Sequence, residues 1–170
     1  MFFRLLSSAL TLAAIIALPT LGSTAAKADP VVPFEEHCVV NVRTNDVLNI
    51  RSGPGTFAPI VAIRAYGTCG IVVTGDPVGS WYPIDDGHYA GWVHKRYIAM
   101  VSPALYCVTN VAWNDVLNLR AWPTPQSQIL VGLAPNQCGI AFLPYATGTW
   151  QKVRVAGWEG WVNRNYVSGQ

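Results

Sequence analysis

"NDVLNIR" (residues 45–51) returns as "NDVLNLR" (residues 114–120), 69 positions further along the chain. The same offset aligns residues 38–98 with residues 107–167 without a gap and gives 22 identities in 61 positions. Two copies at a fixed offset predict a tandem pair of similar units, because a solenoid would need several repeats.

Each copy has the sequence pattern of an all-β unit. Short apolar and β-branched runs such as VLNI (47–50) alternate with clusters of Gly, Pro, Asn and Asp. The alternation in VLNI predicts that Leu48 and Ile50 share one face of a strand. Further strands are predicted in IVAI (60–63), CGIVVTG (69–75), WYPI (81–84) and AGWVHKRYI (90–98). Five or six short strands in about 60 residues predict a small, partly open barrel in each copy.

The four cysteines repeat with the units. Cys38 and Cys69 are 31 positions apart, and so are Cys107 and Cys138. Four cysteines allow three pairings, and the repeat symmetry favours Cys38–Cys69 and Cys107–Cys138, one disulfide within each unit. Each bond closes a loop of about 32 residues, which removes roughly 3.5–4 kcal/mol of unfolded-state entropy on the chain-entropy model. A unit this small buries little apolar surface and benefits from such a cross-link.

The first 28 residues have the layout of a secretory signal peptide. MFFR (1–4) carries a positive charge, a long apolar run follows, and Ala26 and Ala28 stand where signal peptidase needs small residues. Cleavage is predicted between Ala28 and Asp29. The alternative is a retained membrane anchor, which Pro19 disfavours because it interrupts the apolar run. We expect a secreted protein of the periplasm or cell envelope, with no membrane contact after cleavage.

Net charge argues against nucleic acid as a partner. The chain has 11 basic and 9 acidic residues, and removal of Arg4 and Lys27 with the signal leaves equal numbers of each. Without a basic field, the surface does not attract nucleic acid or anionic lipid over a distance.

The repeated motifs resemble those of the bacterial SH3-like (SH3b) domain family. DVLNIRSGPGT (46–56) and DVLNLRAWPTP (115–125) are similar to the Leu-Asn-Arg strand and Gly/Pro turn that open such a domain. AGWVHKRYI (90–98) and EGWVNRNYV (159–167) are similar to its closing Gly-Trp-Val and Tyr. The resemblance implies an exported protein of two tandem SH3-like barrels, and a non-catalytic module that targets peptidoglycan peptides.

This interpretation divides the chain into six parts. The predicted parts are a signal peptide (1–28), an N-terminal tail (29–37), SH3b domain 1 (38–98), a short linker (99–106), SH3b domain 2 (107–167) and a C-terminal tail (168–170). The linker AMVSPALY is mostly apolar and lacks the Gly/Ser composition of a free tether. We therefore expect the two barrels to touch and to form a groove between them.

No pattern in the sequence favours catalysis or metal binding. A cysteine nucleophile needs a free thiol and a histidine base, whereas the four cysteines are assigned to disulfides. None of His37, His88 and His94 has a histidine at the equivalent position of the second copy. A zinc site would use close cysteine pairs, and His88 beside Asp85 and Asp86 is better explained by a polar hairpin turn. We expect no enzyme activity, no metal and no cofactor.

The aromatic residues fall into two groups. Residues at equivalent positions in both copies are interpreted as serving the fold: Trp81/Trp150, Trp92/Trp161 and Tyr97/Tyr166. The same interpretation covers the paired polar residues Asn45/Asn114, Asp46/Asp115, Asn49/Asn118 and Arg51/Arg120. Aromatic residues on turns where the copies differ are predicted to contact a ligand, because such exposed rings often mark contact surfaces. These candidates are Phe57, Tyr66, Tyr82, Trp113, Trp122 and Trp158.

The sequence thus predicts a secreted, non-catalytic binding module of the bacterial envelope. Its expected ligand is a peptide, either from peptidoglycan or an extended segment of a partner protein, since SH3-like folds bind such peptides on aromatic-lined clefts. Two units in series add avidity when both engage. The alternative is a structural or regulatory envelope protein that makes protein–protein contacts and has no affinity for the cell wall.

Overall fold

Residues 31–169 are described by a computed structural model. The predicted signal peptide and its cleavage site between Ala28 and Asp29 lie outside the described residues. Within residues 31–169 the regular elements are β-strands and two single-turn 3₁₀ segments. The all-β prediction is therefore confirmed. No helix in this part of the chain has the length and apolarity needed to cross a membrane.

The first unit is a single antiparallel sheet of seven strands in the order β3-β2-β6-β5-β4-β1-β7. The strands are β1 (Glu36–Val39), β2 (Val47–Arg51), β3 (Ile60–Ala65), β4 (Ile71–Val73), β5 (Trp81–Asp85), β6 (Ala90–His94) and β7 (Ile98–Met100). Leu48 and Ile50 are both buried, as the alternation in β2 predicts. The first strand of the unit, β1, pairs with β4 and with the last strand, β7, so the two ends of this chain segment lie side by side.

The strand predicted over residues 90–98 is interrupted by a 3₁₀ turn at Lys95–Tyr97. The turn begins because Nδ1 of His94 accepts a hydrogen bond from the backbone N–H of Arg96 at 3.2 Å. A side-chain acceptor of this kind satisfies an N–H that would otherwise lack a partner at the start of a helical turn. The chain therefore bends between β6 and β7.

The second unit repeats this order in two pieces, β10-β9-β13-β12-β11 and β14-β8. Its strands are β8 (Tyr106–Val108), β9 (Leu117–Arg120), β10 (Ile129–Leu133), β11 (Ala141–Thr147), β12 (Trp150–Val155), β13 (Trp158–Asn163) and β14 (Val167–Gly169). A single bridge between Tyr106 and Ile140 stands where β1 pairs β4 in the first unit. A second 3₁₀ turn, Arg164–Tyr166, separates β13 from β14.

Each unit has its own apolar core, and the two cores use equivalent positions. The buried pairs are Val39/Val108, Leu48/Leu117, Ile50/Leu119, Ile71/Ile140, Ile84/Val153 and Val93/Val162. Both predicted disulfides are present, Cys38–Cys69 and Cys107–Cys138, with S–S distances of 2.03 and 2.08 Å. The prediction of two small barrels with one intradomain disulfide each is confirmed.

The two units touch, as the apolar linker predicts. A third buried cluster joins Cys38 and Val101 to Leu143 and Tyr145 of β11. The Tyr145 hydroxyl donates a hydrogen bond of 2.7 Å to the backbone carbonyl of Val39 across this contact. Burial, together with Tyr66 and Glu159 nearby, raises the pKa of Tyr145 far above its ordinary value, so the hydroxyl stays a neutral donor.

An ion-pair network lies at the edge of the contact between the two units. The Arg154 guanidinium lies 2.8 Å from a carboxylate oxygen of Glu36 in the first unit and 2.8 Å from one of Glu159 in the second. The hydrogen bonds to Glu36 raise the pKa of Arg154, burial lowers it, and the bonds to Glu159 raise it further, with a net increase. A bidentate guanidinium holds carboxylates in a fixed geometry, so Arg154 orients the two units.

His37 is fully buried in β1 and has no exposed ring edge. Its Nδ1 donates to the carbonyl of Glu35 at 2.8 Å, and its Nε2 accepts from the N–H of Val32 at 3.2 Å. Burial lowers the pKa of His37 below its ordinary value of 6.5, although its backbone hydrogen bonds oppose the shift. The neutral imidazole is thus the form that fits the folded protein.

This burial predicts a loss of stability in mild acid. The unfolded chain protonates His37 near pH 6.5, and the folded protein does so only at lower pH. The stabilisation that burial of the neutral His37 imidazole provides is therefore complete above pH 6.5. It is lost as the pH falls from there through the lower pKa of the folded protein. We expect the thermal unfolding midpoint to fall between about pH 7.5 and about pH 5, and His37→Gln to flatten that slope. His88, which is exposed, supplies the matched control His88→Gln. An unchanged slope in His37→Gln would contradict the assignment.

Candidate functional site

Each unit carries an open groove beside its second strand. Groove 1 encloses about 350 Å³ and groove 2 about 450 Å³. Groove 1 is defined by Asp46, Asn49, Arg51, Trp81, His94 and Tyr97. Groove 2 is defined by the equivalent residues Asp115, Asn118, Arg120, Trp150, Asn163 and Tyr166. The duplication therefore produced the same concave site twice.

The alternation along β2 and β9 places polar side chains in the grooves. In β2, Leu48 and Ile50 face the core, while Asn49 and Arg51 are half-buried on the other face. Nη1 of Arg51 donates a 2.7 Å hydrogen bond to the carbonyl of Ala58, and so fixes the turn between β2 and β3. Arg120 makes the equivalent 2.7 Å bond to Ser127 in the second unit. Each arginine thus shapes its groove as well as lining it.

Aromatic rings form another part of the wall of groove 1. The ring centroids of Trp81 and His94 are 5.5 Å apart, and those of His94 and Tyr97 are 6.0 Å apart, all in edge-to-face arrangements. The second unit has Trp150 and Tyr166 in the same places. These rings give the wall an apolar surface next to the charged strand.

His94 and Asn163 perform the same structural task with different side chains. Oδ1 of Asn163 accepts a 3.1 Å hydrogen bond from the N–H of Asn165, as Nδ1 of His94 does from Arg96. The repeat alignment places Asn163, not a histidine, at the position equivalent to His94. The signal that could have revealed the equivalence is that both side chains offer an acceptor before a short turn.

The predicted ligand residues are distributed over several places. Phe57 and Trp113 are almost fully exposed, and each directly follows a residue that lines a groove, Thr56 and Ala112. Trp158 is half-exposed at the start of β13 and lines neither groove.

Tyr82 lies on the inner side of β5, where it packs against the core of the first unit. Its counterpart Gln151 is buried, and the side-chain amide of Gln151 donates to the carbonyls of Leu143 and Tyr145. This position therefore faces inward in both units.

Tyr66 and Trp122 are brought together, in a cavity between the units of about 550 Å³. We call it the interunit cavity and define it by Tyr66, Trp122, Tyr145, Lys152, Glu159 and Trp161. The rings of Tyr66 and Tyr145 meet edge to face at 5.3 Å. Nζ of Lys152 lies 5.3 Å from the centre of the Tyr145 ring. This is the groove expected between the barrels.

The acidic segment before His88 forms the predicted hairpin turn between β5 and β6. Oδ1 of Asp86 accepts hydrogen bonds from the N–H groups of His88 and Tyr89, and its Oδ2 pairs with Arg64 at 2.6 Å. Burial alone would raise the pKa of Asp86, but these bonds and the guanidinium outweigh it and hold the pKa below its ordinary value. In residues 31–169 no three His, Cys, Asp or Glu side chains gather as metal ligands would.

Two solved structures resemble the chain at low identity. They are NlpC1 and NlpC2 from Trichomonas vaginalis, with 10% and 9% sequence identity and a TM-score of 0.38 each. The matches cover 91% and 80% of this chain but 51% and 48% of those proteins. The chain therefore spans about half the length of each. A comparison with curated proteins gave no match.

A family model assigns the first unit. The model of the bacterial SH3 domain matches residues 46–99, which run from the residue before β2 into β7 and contain all six residues that define groove 1. Over residues 46–99, the chain is therefore similar to the bacterial SH3 domain.

Proposed function

We propose that the protein is a non-catalytic binding module of the bacterial envelope, with two equivalent peptide-binding grooves. The observation that carries the proposal is the repetition of the groove. Eleven residues line groove 2, each has its counterpart in groove 1, and nine of the eleven pairs are identical. Whereas the two copies agree at 22 of 61 positions overall, they agree at nearly all groove positions. Such agreement favours a shared ligand.

The chemistry of the grooves suits an extended peptide. Trp81 and Tyr97 offer apolar faces, Asn49 offers both a donor and an acceptor, and Asp46 and Arg51 carry opposite charges. A peptide that bears free amino and carboxyl groups would find a partner for each at the two ends of β2, along one cleft. Peptidoglycan stem peptides have this composition, and we propose them as the ligand.

We propose no catalytic role for the protein and a location outside the cytoplasm. All four cysteines are joined in disulfides, so none offers a thiolate nucleophile. Disulfides persist in oxidising compartments, which supports the periplasm or cell envelope as the site of action. Two grooves on one chain would raise avidity for a polymer that repeats the same peptide.

Co-sedimentation with purified peptidoglycan sacculi tests the proposal. We expect the protein to sediment with intact sacculi and to remain in solution with sacculi from which an amidase has removed the stem peptides. Asp46→Asn and Trp81→Ala each alter groove 1 alone, and each should weaken the binding of a peptide to that groove about tenfold. The double variants that add Asp115→Asn or Trp150→Ala should weaken it further. Asp46→Asn keeps the acceptor that holds the N–H of Val47, so it changes charge without unsettling the turn.

Leu105→Ala is the matched control, since Leu105 is exposed on the linker and lines neither groove. Sedimentation of the Asp46/Asp115 double variant at the wild-type level would refute the grooves as the binding site. Failure of the wild-type protein to sediment with intact sacculi would refute the cell-wall ligand and favour the protein–protein alternative.

A further inference from the structure

The interunit cavity differs from the two grooves in where its residues come from. Tyr66 belongs to the first unit, and Trp122, Tyr145, Lys152 and Glu159 to the second. Each of these five has an unlike residue at the equivalent position of the other copy: Pro135, Gly53, Asp76, Pro83 and Ala90. The cavity is thus assembled from both units and is built mostly from positions at which the copies diverged, with Gly160 and Trp161 as identical exceptions.

Aromatic faces dominate the walls. Trp122 is 70% exposed and Tyr66 is 43% exposed, so both rings present apolar faces to whatever enters. Tyr145 is held in place by its hydrogen bond to Val39 and by its edge-to-face contact with Tyr66. Gly67 and Gly160 also line the cavity. A concave site with aromatic walls and a few polar groups is typical of small-molecule binding.

The charges around the cavity cancel. Lys152 lies 3.9 Å from Glu159, and Arg154 pairs with both Glu159 and Glu36. Two cations therefore face two carboxylates, which leaves no uncompensated charge for an ionic ligand. The ammonium of Lys152 and the carboxylate of Glu159 nevertheless offer a hydrogen-bond donor and an acceptor at the rim.

We propose that the interunit cavity binds a neutral saccharide ring. A pyranose has an apolar C–H face that suits a Trp or Tyr ring, and hydroxyls at its rim that both donate and accept hydrogen bonds. An aliphatic ligand would leave Lys152 and Glu159 without hydrogen-bond partners from the ligand, and a charged one would meet a neutral site. The site is separate from the two grooves, and its ligand does not depend on theirs.

Calorimetric titration of the purified protein with neutral tetrasaccharides tests this site. The probes are an N-acetylglucosamine tetramer and maltotetraose, with a sulfated tetrasaccharide as the anionic comparison. We expect one of the neutral probes to bind and the sulfated one not to bind. Trp122→Ala should weaken the neutral interaction about tenfold or more. Trp113→Ala is the matched control and should change saccharide binding less than about twofold, because Trp113 is an exposed tryptophan of the same unit that lies outside the cavity.

Tyr66→Ala should weaken saccharide binding as Trp122→Ala does, which would show that both units contribute. The double variant Trp81→Ala/Trp150→Ala should leave saccharide binding unchanged. A failure of the saccharide proposal can therefore be distinguished from a failure of the peptide-groove proposal. The proposal is overturned if neither neutral tetrasaccharide binds at millimolar concentration, or if Trp122→Ala and Trp113→Ala behave alike. It is also overturned if a stem peptide displaces the saccharide.

Discussion

Replacement of Cys38 and Cys69 by Ala is expected to lower the free energy of unfolding by about 3.7 kcal/mol. The disulfide joins residues 31 positions apart, and its removal returns the loop-closure entropy to the unfolded chain. The pair Cys107→Ala/Cys138→Ala has the same separation, so its entropic loss is equal. Guanidinium titration followed by tryptophan fluorescence measures both losses.

The two disulfides differ in their surroundings. Cys38 is fully buried in the cluster that joins the units, with Cys69 packed against that cluster, whereas the equivalent Cys107 is 7% exposed and lies outside the cluster, and its partner Cys138 is exposed. Loss of the buried sulfur leaves a small void, which adds about 1 kcal/mol to the cost in the first unit. Equal losses for the two pairs would show that this packing contributes nothing. A loss below about 1 kcal/mol for either pair would contradict the entropic account.

Most of the fold follows from local patterns in the sequence. The period of two in VLNI (47–50) gave the buried face of β2, and the gap-free repeat gave the disulfide pairing. Strand β1 was not predicted, because its pairing partners β4 and β7 are distant in the chain. The 3₁₀ turn at Lys95–Tyr97 was also missed, since its cap is a single histidine nitrogen in an otherwise strand-like run.

The grooves could have been inferred from the same alternation. If Leu48 and Ile50 face the core, then Asn49 and Arg51 must face the other way, and their repetition in the second copy indicates a repeated surface. The interpretation that Asn49 and Arg51 serve the fold accounts for only part of what these residues do. Arg51 holds the turn through Ala58 and lines the groove as well.

The interunit cavity could not be predicted as a set of residues. Tyr66 and Trp122 were among the six candidates, but nothing local distinguishes them from Phe57 or Trp113, which are exposed aromatic residues on turns as well. The distinction arises only when the two units dock, because docking brings Tyr145 against Tyr66. Contacts between residues so far apart in the chain leave no local pattern.

Gly91→Ala is expected to destabilise the first unit by about 1–3 kcal/mol. Gly91 lies in β6, and a Cβ there would stand 2.6 Å from the carbonyl oxygen of Arg51 and 2.6 Å from Cγ2 of Ile50. The oxygen belongs to the backbone of β2 and Ile50 is fully buried, so relief requires β2 to move away from β6. Gly160→Ala should act in the same way, since its Cβ would lie 2.7 Å from the carbonyl oxygen of Arg120.

Two other glycines separate this steric effect from the general effect of losing a glycine. At Gly53 a Cβ would meet only Ala58 at 3.7 Å, so Gly53→Ala should be neutral or stabilise by about 0.4–1 kcal/mol. At Gly132 a Cβ would meet Cγ2 of Val116 at 2.9 Å. The Val116 side chain is half-exposed and can turn aside, so the loss of stability should be smaller than at Gly91.

Chemical unfolding of the four glycine variants compares their free energies of unfolding. Equal changes at Gly53 and Gly91 would refute the close approach. A large loss at Gly91 and Gly160 alone would explain the glycine of the repeated Gly-Trp-Val motif as the point where β6 and β13 lie against the neighbouring strand.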